Sequence, residues 1–203
     1  DGSWKWFLES GEKDMVGNFS NDLQSGDWEY YYNSKPQLLS KGVFKEDKRS
    51  GKWDFFYEDG SKWKEGYFNE GQKDSIWTTL HENGTILING KYKNGKEEGR
   101  WITNYSDGNQ QDEGTYKNGM MDGSWTGWFP TGQIRYQGNY TNGEKSGLWQ
   151  YWNERGLKEL EETYENGVRK LYIGYLTKAE NIADYFNIAD LYLHAARAEN
   201  YPN

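Results

Sequence analysis

Side chains able to do covalent, acid–base or metal chemistry are few in this sequence. Cysteine is absent, which removes thiol nucleophiles, disulfides and zinc ribbons. Histidine occurs twice, as His81 and His194. His81 falls in a slot that is aromatic in neighbouring segments and reads as a packing substitute. His194 sits beside Leu193 in an apolar helical pattern. No Gly-x-Ser-x-Gly elbow is present. Carboxylates are plentiful, yet many precede glycine, where an Asx side chain shapes a turn. A two-carboxylate glycosidase stays formally open, because any acidic chain offers pairs, and nothing singles one out. The glycines lie between extended runs rather than before a helix, so they do not form a phosphate cradle. No catalytic residue, metal ligand or cofactor site is assigned, and the expectation is a protein that binds rather than transforms.

The residues with conspicuous spacing are aromatic. Tryptophan recurs at 4, 28, 53, 77, 101, 125 and 149, in steps of 24 with one step of 25. A second row, Phe19, Phe44, Phe68, Tyr92, Tyr116, Tyr140 and Tyr164, follows each Trp by 15 or 16 residues. A fixed period of this length is the mark of a repeat array. The array covers residues 1 to about 170 and leaves 171–203 as a separate terminal segment. Leu, Ile, Val and Phe make up only about 16% of the chain, a fraction that with a net charge of -8 resembles a disordered composition. The 11 Trp and 17 Tyr overturn that reading, since each ring can bury a large area.

Charge and length narrow the partners. An acidic chain repels nucleic acid and anionic lipid. No apolar run reaches the length of a membrane helix, so membrane association would need an anchor outside this sequence. The chain begins at Asp1 rather than Met, which favours a processed envelope or secreted protein over a cytoplasmic one.

Each repeat reads as one β-hairpin. In Gly123-Ser-Trp-Thr-Gly-Trp-Phe129 and Ile134-Arg-Tyr-Gln-Gly-Asn-Tyr140 the apolar runs are 5–7 residues long, which is strand length. Asp59-Gly60, Asn83-Gly84 and Asp107-Gly108 mark a first turn. Asn94-Gly95, Asn118-Gly119, Asn142-Gly143 and Asn166-Gly167 mark a second. Numbering each repeat from its Trp as 0, positions 0, +2 and +4 share one face, and +3 points to the other. Position +3 holds Tyr31, Phe56, Trp128 and Trp152, which are the candidate partner-binding residues. Trp28, Trp53, Trp77, Trp101, Trp125 and Trp149, with Gly66, Gly90, Gly114 and Gly138, are structural. If Phe129 pairs with Ile134, Trp125 lies opposite Gly138, and its indole is expected to cover that glycine. Repeat four carries Ser75 where Gly usually stands, and repeat seven carries Glu162 in place of the paired Gly.

Beyond Lys170 the pattern changes. Residues 171–176 read as one more strand. Thr177-Lys-Ala-Glu180 reads as a capping box, and Ile182, Phe186, Ala189 and Leu193 form one helical stripe. The expectation is an α-helix over about 177–199 that caps the last hairpin near Trp149, Tyr151 and Tyr164.

The unit Gly99-Arg-Trp101…Asp107-Gly108…Gly114-Thr-Tyr116-Lys-Asn-Gly119, repeated at Gly123-Ser-Trp125…Gly138-Asn-Tyr140-Thr-Asn-Gly143, resembles the MORN repeat in its bacterial second variant. That variant is found in the YwqK family of toxin–antitoxin antitoxins. The resemblance implies an elongated, curved, single-layer sheet, no catalysis and a protein partner. The fold expected is all-β: an elongated single-layer antiparallel sheet of about seven 24-residue hairpins with one C-terminal helix as cap. The function expected is protein binding or scaffolding, with an antitoxin-like role as its finest form. The alternative is a carbohydrate- or choline-binding cell-surface module.

Overall fold

A computed structural model describes residues 1–170. The chain divides into two units, Asp1–Arg169 and Lys170–Asn203. The first hairpins are β1 (Gly2–Phe7) with β2 (Lys13–Ser20), β3 (Leu23–Tyr31) with β4 (Leu38–Lys45), β5 (Lys48–Phe56) with β6 (Lys62–Asn69), and β7 (Gln72–Leu80) with β8 (Ile86–Lys93). Then follow β9 (Lys96–Asn104) with β10 (Gln110–Lys117), β11 (Met120–Trp128) with β12 (Ile134–Thr141), β13 (Glu144–Trp152) with β14 (Lys158–Glu165), and a short β15 (Val168–Lys170). All 15 strands lie in one open sheet in chain order. The all-β, single-sheet hairpin array read from the sequence is thus observed. The expected strand over 171–176 and capping helix over about 177–199 lie outside the described residues.

The strands are mostly 8 or 9 residues long, longer than the apolar runs predicted. Polar stretches such as Lys48-Arg-Ser-Gly51 do not end a strand, because pairing continues to a two-residue turn. Lys117 pairs with Met120 around Asn118 (φ 52°) and Gly119 (φ 84°). Two positive φ values define a type I′ turn, whose twist matches the strands it joins. The first two repeats lack Asx-Gly yet make the same turn with Asn21-Asp22 and Glu46-Asp47. Each turn is also tied to the hairpin before it: the Gly119 N–H donates to the carbonyl of Glu97 in β9 (2.9 Å), and Gly143 to that of Met121 in β11 (2.8 Å). At the other end the Gly132 N–H donates to Phe129 O, and Phe129 N–H to Gln133 O. The Asx side chain closes the equivalent turns, as where Asp59 Oδ1 accepts the Ser61 N–H at 2.8 Å. The side-chain and backbone bonds from Ser61 hold the Asp59 carboxyl below its ordinary range.

Trp125 stands opposite Gly138 as predicted, but Ile134 pairs with Trp128 rather than with Phe129, and an irregularity between Gly127 and Trp128 makes up the difference. The predicted cover is not seen. A Cβ on Gly138 would lie 2.2 Å from Trp149, whereas the Trp125 ring occupies the space over Gly114, 2.1 Å from a Cβ there. Each indole therefore leans back onto the glycine of the preceding repeat. In that position Nε1 reaches the carbonyl one residue past the glycine: Trp28 to Asn18, Trp53 to Val43, Trp77 to Tyr67, Trp125 to Thr115 and Trp149 to Asn139, at 3.0–3.3 Å. Trp101 Nε1 is buried without a partner. The backward lean explains Glu162. It stands opposite Trp149, a ring already committed to Gly138, so a side chain fits there.

The core is a thin ladder of rings on one face. Phe19, Trp28, Phe44, Trp53, Phe68 and Trp77 alternate edge to face with centroids 5.0–6.0 Å apart. The ladder continues through Tyr92, Trp101, Tyr116, Trp125, Tyr140 and Trp149. Edge-to-face pairs add about 0.5–1.5 kcal/mol beyond area burial. A second ring from the preceding repeat's +2 position covers each early Trp: Trp6 on Trp28, Tyr30 on Trp53, Phe55 on Trp77. Position +2 is Thr79 and then Thr103 ahead of Trp101 and Trp125, and these two indoles are only half-buried. Position Gly127 restores the cover, because the Tyr136 ring fills its empty side-chain space and stacks on Trp149 at 5.8 Å. Trp28, Trp53, Trp77 and Trp149 are buried, at 2%, 0%, 5% and 2% exposure.

The glycine two before each Trp has a separate task. Gly26, Gly51, Gly99, Gly123 and Gly147 all have φ between 64° and 99°, where the strand bulges against its predecessor. Ser75 takes this conformation in repeat four at φ 60°. Left-handed backbone costs a non-glycine residue roughly 1–2 kcal/mol, and glycine's extra unfolded freedom returns roughly 0.5–1. Ser75→Gly should therefore raise stability by about 0.5–1 kcal/mol in a urea titration. A loss of stability would mean that the hydroxyl's bond to Asp74 Oδ1 (2.9 Å) outweighs the strain.

Candidate functional site

The face opposite the ring ladder carries three rows along the sheet. Its central row is mostly polar: Asp54 and Thr78 stand beside Glu65, and Thr78 beside Asn89, with Ile102 an apolar exception. Lys62 Nζ binds Asp54 at 3.0 Å and Glu65 at 2.7 Å, and Lys52 Nζ binds Glu65 at 2.9 Å. Arg100 holds Glu113 with two bonds, at 2.6 and 2.9 Å. The hydrogen bonds from Lys62 and Lys52 pull Glu65 from its ordinary 4.5 to about 2. Its folded value is depressed, so the stability it contributes is complete above pH 4.5 and is lost as pH falls toward 2. The site is about one third exposed, so screening limits the effect to well under about 1 kcal/mol. Glu65→Gln should flatten stability against pH in that window, and 1 M salt (~3 Å screening length) should flatten the wild type similarly. Equal acid sensitivity of variant and wild type would remove Glu65 from the account.

The +3 row holds the four predicted contact residues, and all four are half-buried on this face. They fall into two pairs. Tyr31 and Phe56 sit two strands apart, as do Trp128 and Trp152, which is about 10 Å at ordinary strand spacing. Leu80 and Asn104 separate the pairs, placing Phe56 and Trp128 six strands, or about 29 Å, apart. The Tyr31 hydroxyl donates to Glu29 Oε2 at 2.6 Å, and that bond, with burial, pushes Tyr31 up to about 12. Lysine ammonium groups lie beside three of the rings: Lys13 at Tyr31, Lys41 at Phe56 and Lys158 at Trp152.

A third row was missed from the sequence. Ile76, Leu148 and Tyr67 lie on this same face near the type I′ turns, at 50%, 47% and 46% exposure. Ile76 and Leu148 immediately precede a Trp, so strand alternation alone assigns them to the +3 side. Together the rows make an aromatic border, a hydrogen-bonded polar centre and a mixed border, in which Tyr67 stands beside Lys52 and Ile76 beside Lys91. The backbone behind this face is held by position +4: Tyr32, Tyr57 and Tyr105 donate to the carbonyls of Phe56, Leu80 and Trp128 at 2.8 Å. His81 fills the same slot, with Nε2 3.0 Å from Asn104 O, which gives the packing substitute predicted for it a bonding role.

Among the described residues no group of three His, Cys, Asp or Glu is placed to hold a metal ion, and no helix is long and apolar enough to cross a membrane. The MORN repeat variant matches residues 121–142, which span one hairpin from Met121 in β11 to the turn residue Asn142. The chain therefore carries a MORN repeat, and its other hairpins are built on the same Trp-opposite-Gly register except the last, where Trp149 stands opposite Glu162. A search of the curated proteins finds no match.

Proposed function

We propose that the sheet is a non-catalytic protein-binding module whose partner lies across the face opposite the ring ladder, anchored at Trp128 and Trp152. The observation behind this reading is that large rings stand half-buried beside a polar, ion-paired centre, on a face that the described sheet leaves without a second layer. Rigid amphipathic rings make strong anchors at protein interfaces. The match to a MORN repeat supports a binding or scaffolding role. An antitoxin-like role is the narrower form of the same reading, with a toxin as the partner. The choline or glycan alternative is disfavoured because rings suited to a cationic cage already face the chain's own lysines. Lys145 Nζ lies 4.4 Å from the Trp149 centroid, and Lys64 lies 3.9 Å from Trp63.

The test is affinity capture from the native source with wild type and a Trp128→Ala, Trp152→Ala double variant. The expected result is one protein retained by wild type and lost by the variant, with both melting alike. Retention by the variant, or saturable binding to a choline or glycan resin with no protein captured, would overturn the proposal.

A further inference from the structure

We propose that the corner between Trp101 and Tyr116 on the ring-ladder face, with Glu97 at its side, binds a cationic side chain of a partner protein. Three other corners of the ladder already hold such a group, supplied by the chain itself. Arg49 lies 4.4 Å from the Trp53 centroid and 5.5 Å from that of Phe68. Lys73 lies 4.7 Å from Trp77 and 4.6 Å from Tyr92. Lys145 lies 4.4 Å from Trp149 and 5.1 Å from Tyr164. Each cation stands four residues before its Trp and pairs with the Phe or Tyr of the preceding strand: Arg49 with Phe44, Lys73 with Phe68 and Lys145 with Tyr140.

The residue four before Trp101 is Glu97, which pairs with Tyr92. The rings themselves are arranged as elsewhere: Tyr92 and Tyr116 meet the Trp101 indole edge-on at 5.1 and 5.6 Å. Burial and the nearby Glu97 carboxylate push Tyr92 up to about 12 and raise Tyr116 as well. Among the described residues Glu97 enters no ion pair. This corner also lacks its second cover. Thr79 stands where the preceding repeats set Tyr30 against Trp53 and Phe55 against Trp77. The Trp101 indole is therefore half-buried, whereas Trp53, Trp77 and Trp149 are 0%, 5% and 2% exposed.

Exchanging a cation for an anion reverses what the corner attracts. The face of an indole is the negative end of its quadrupole, and Glu97 adds a full negative charge beside it. A guanidinium or ammonium group placed there gains a cation–π contact and an ion pair together. A neutral group gains neither, and an anion is repelled. The uncovered stretch is longer than one ammonium ion. Trp125 is half-buried too, with Thr103 in the cover position and Met121 four residues before it, and it lies two strands, or about 10 Å, further along the sheet. That length takes the residues next to a cationic side chain, which assigns the occupant to a protein segment. The site lies on the ladder face, away from the surface proposed above, so each proposal stands if the other fails.

The test follows the Trp101 indole N–H resonance of the full chain, assigned by triple resonance, during titration with a capped Gly-Arg-Gly tripeptide. Saturable movement is expected, while the Trp149 resonance, whose ring already carries Lys145, stays in place. Citrulline, the neutral isostere, in place of the arginine should weaken binding at least about tenfold. Glu97→Gln should weaken it several-fold. Glu97→Lys supplies the chain's own cation, as at Trp77 and Trp149, so that variant should melt no lower than wild type and lose the tripeptide. Trp128→Ala should bind as wild type does. Equal binding of the two tripeptides, undiminished binding by Glu97→Lys, equal movement of the Trp149 resonance, or no saturable shift at tens of millimolar tripeptide would overturn the proposal. So would choline binding at least about tenfold tighter than the arginine tripeptide, because that outcome gives the corner to a small quaternary ammonium ion.

Discussion

Alanine in place of Gly138 is expected to destabilise the sheet by about 3 kcal/mol or more, which is large for the addition of one methyl group. The new Cβ would sit 2.2 Å from Trp149 Cδ2, and the indole cannot yield. Tyr136 stacks on it at 5.8 Å, Tyr140 meets it edge-on at 5.0 Å, and its Nε1 is bonded to Asn139 O. Overpacking usually costs about 1–3 kcal/mol, and expelling a buried Trp about 3–5. Gly147→Ala provides the internal control. Nothing lies within 4 Å of a Cβ there, and only its φ of 64° is unfavourable, so about 0.5–1 kcal/mol is expected, as for Ser75. Urea titration of both variants, monitored by Trp fluorescence, checks the order. If Gly147→Ala proves the more damaging, the close approach of indole to backbone is not what fixes this glycine.

Trp53→Ala should cost about 3–5 kcal/mol. This indole is fully buried and touches Phe44, Phe55, Phe68 and Tyr30, with the Arg49 guanidinium 4.4 Å from its centroid. Removal also breaks the junction between β4 and β5, since Val43 O loses its indole donor. Repeat arrays hold together through nearest-neighbour junctions, so the loss should be local: the unfolding transition should broaden or split. Hydrogen exchange should speed up in β3–β6 while β11–β14 stays protected. Trp4→Ala makes the contrast. Its ring is half exposed at an edge, so a change under about 1 kcal/mol is expected. Uniform loss of protection along the whole sheet after Trp53→Ala would show that the repeats do not act as separate units.

The aromatic border has an uneven layout that bears on how a partner would sit. Tyr31 with Phe56 and Trp128 with Trp152 are two anchors at opposite ends of the sheet, interrupted by Leu80 and Asn104. A small ligand would meet one anchor only. A partner that touches both must extend across six strands, which suits a folded protein surface better than a sugar.

Local physics made much of this protein legible in its sequence. The 24-residue period, the Asx-Gly and Gly turns, strand alternation and the placement of Trp opposite Gly all follow from short-range rules. A strand's faces have period two, and a turn's φ signs select its residues. His81 and the Asx residues could be assigned structural tasks for the same reason. Tertiary structure decided the rest. Each glycine has a Trp beside it on both neighbouring strands, as Gly42 has Trp28 and Trp53, and sequence spacing treats the two alike. Only the bulge at Gly51 and the carbonyl of Val43 select Trp53 as the ring that covers Gly42. That choice turns the Trp from a fastener within its own hairpin into a fastener between hairpins. It explains why Glu162 is tolerated opposite Trp149. The direction in which a ring leans depends on the strand that packs behind it, and a repeat read singly does not contain that strand.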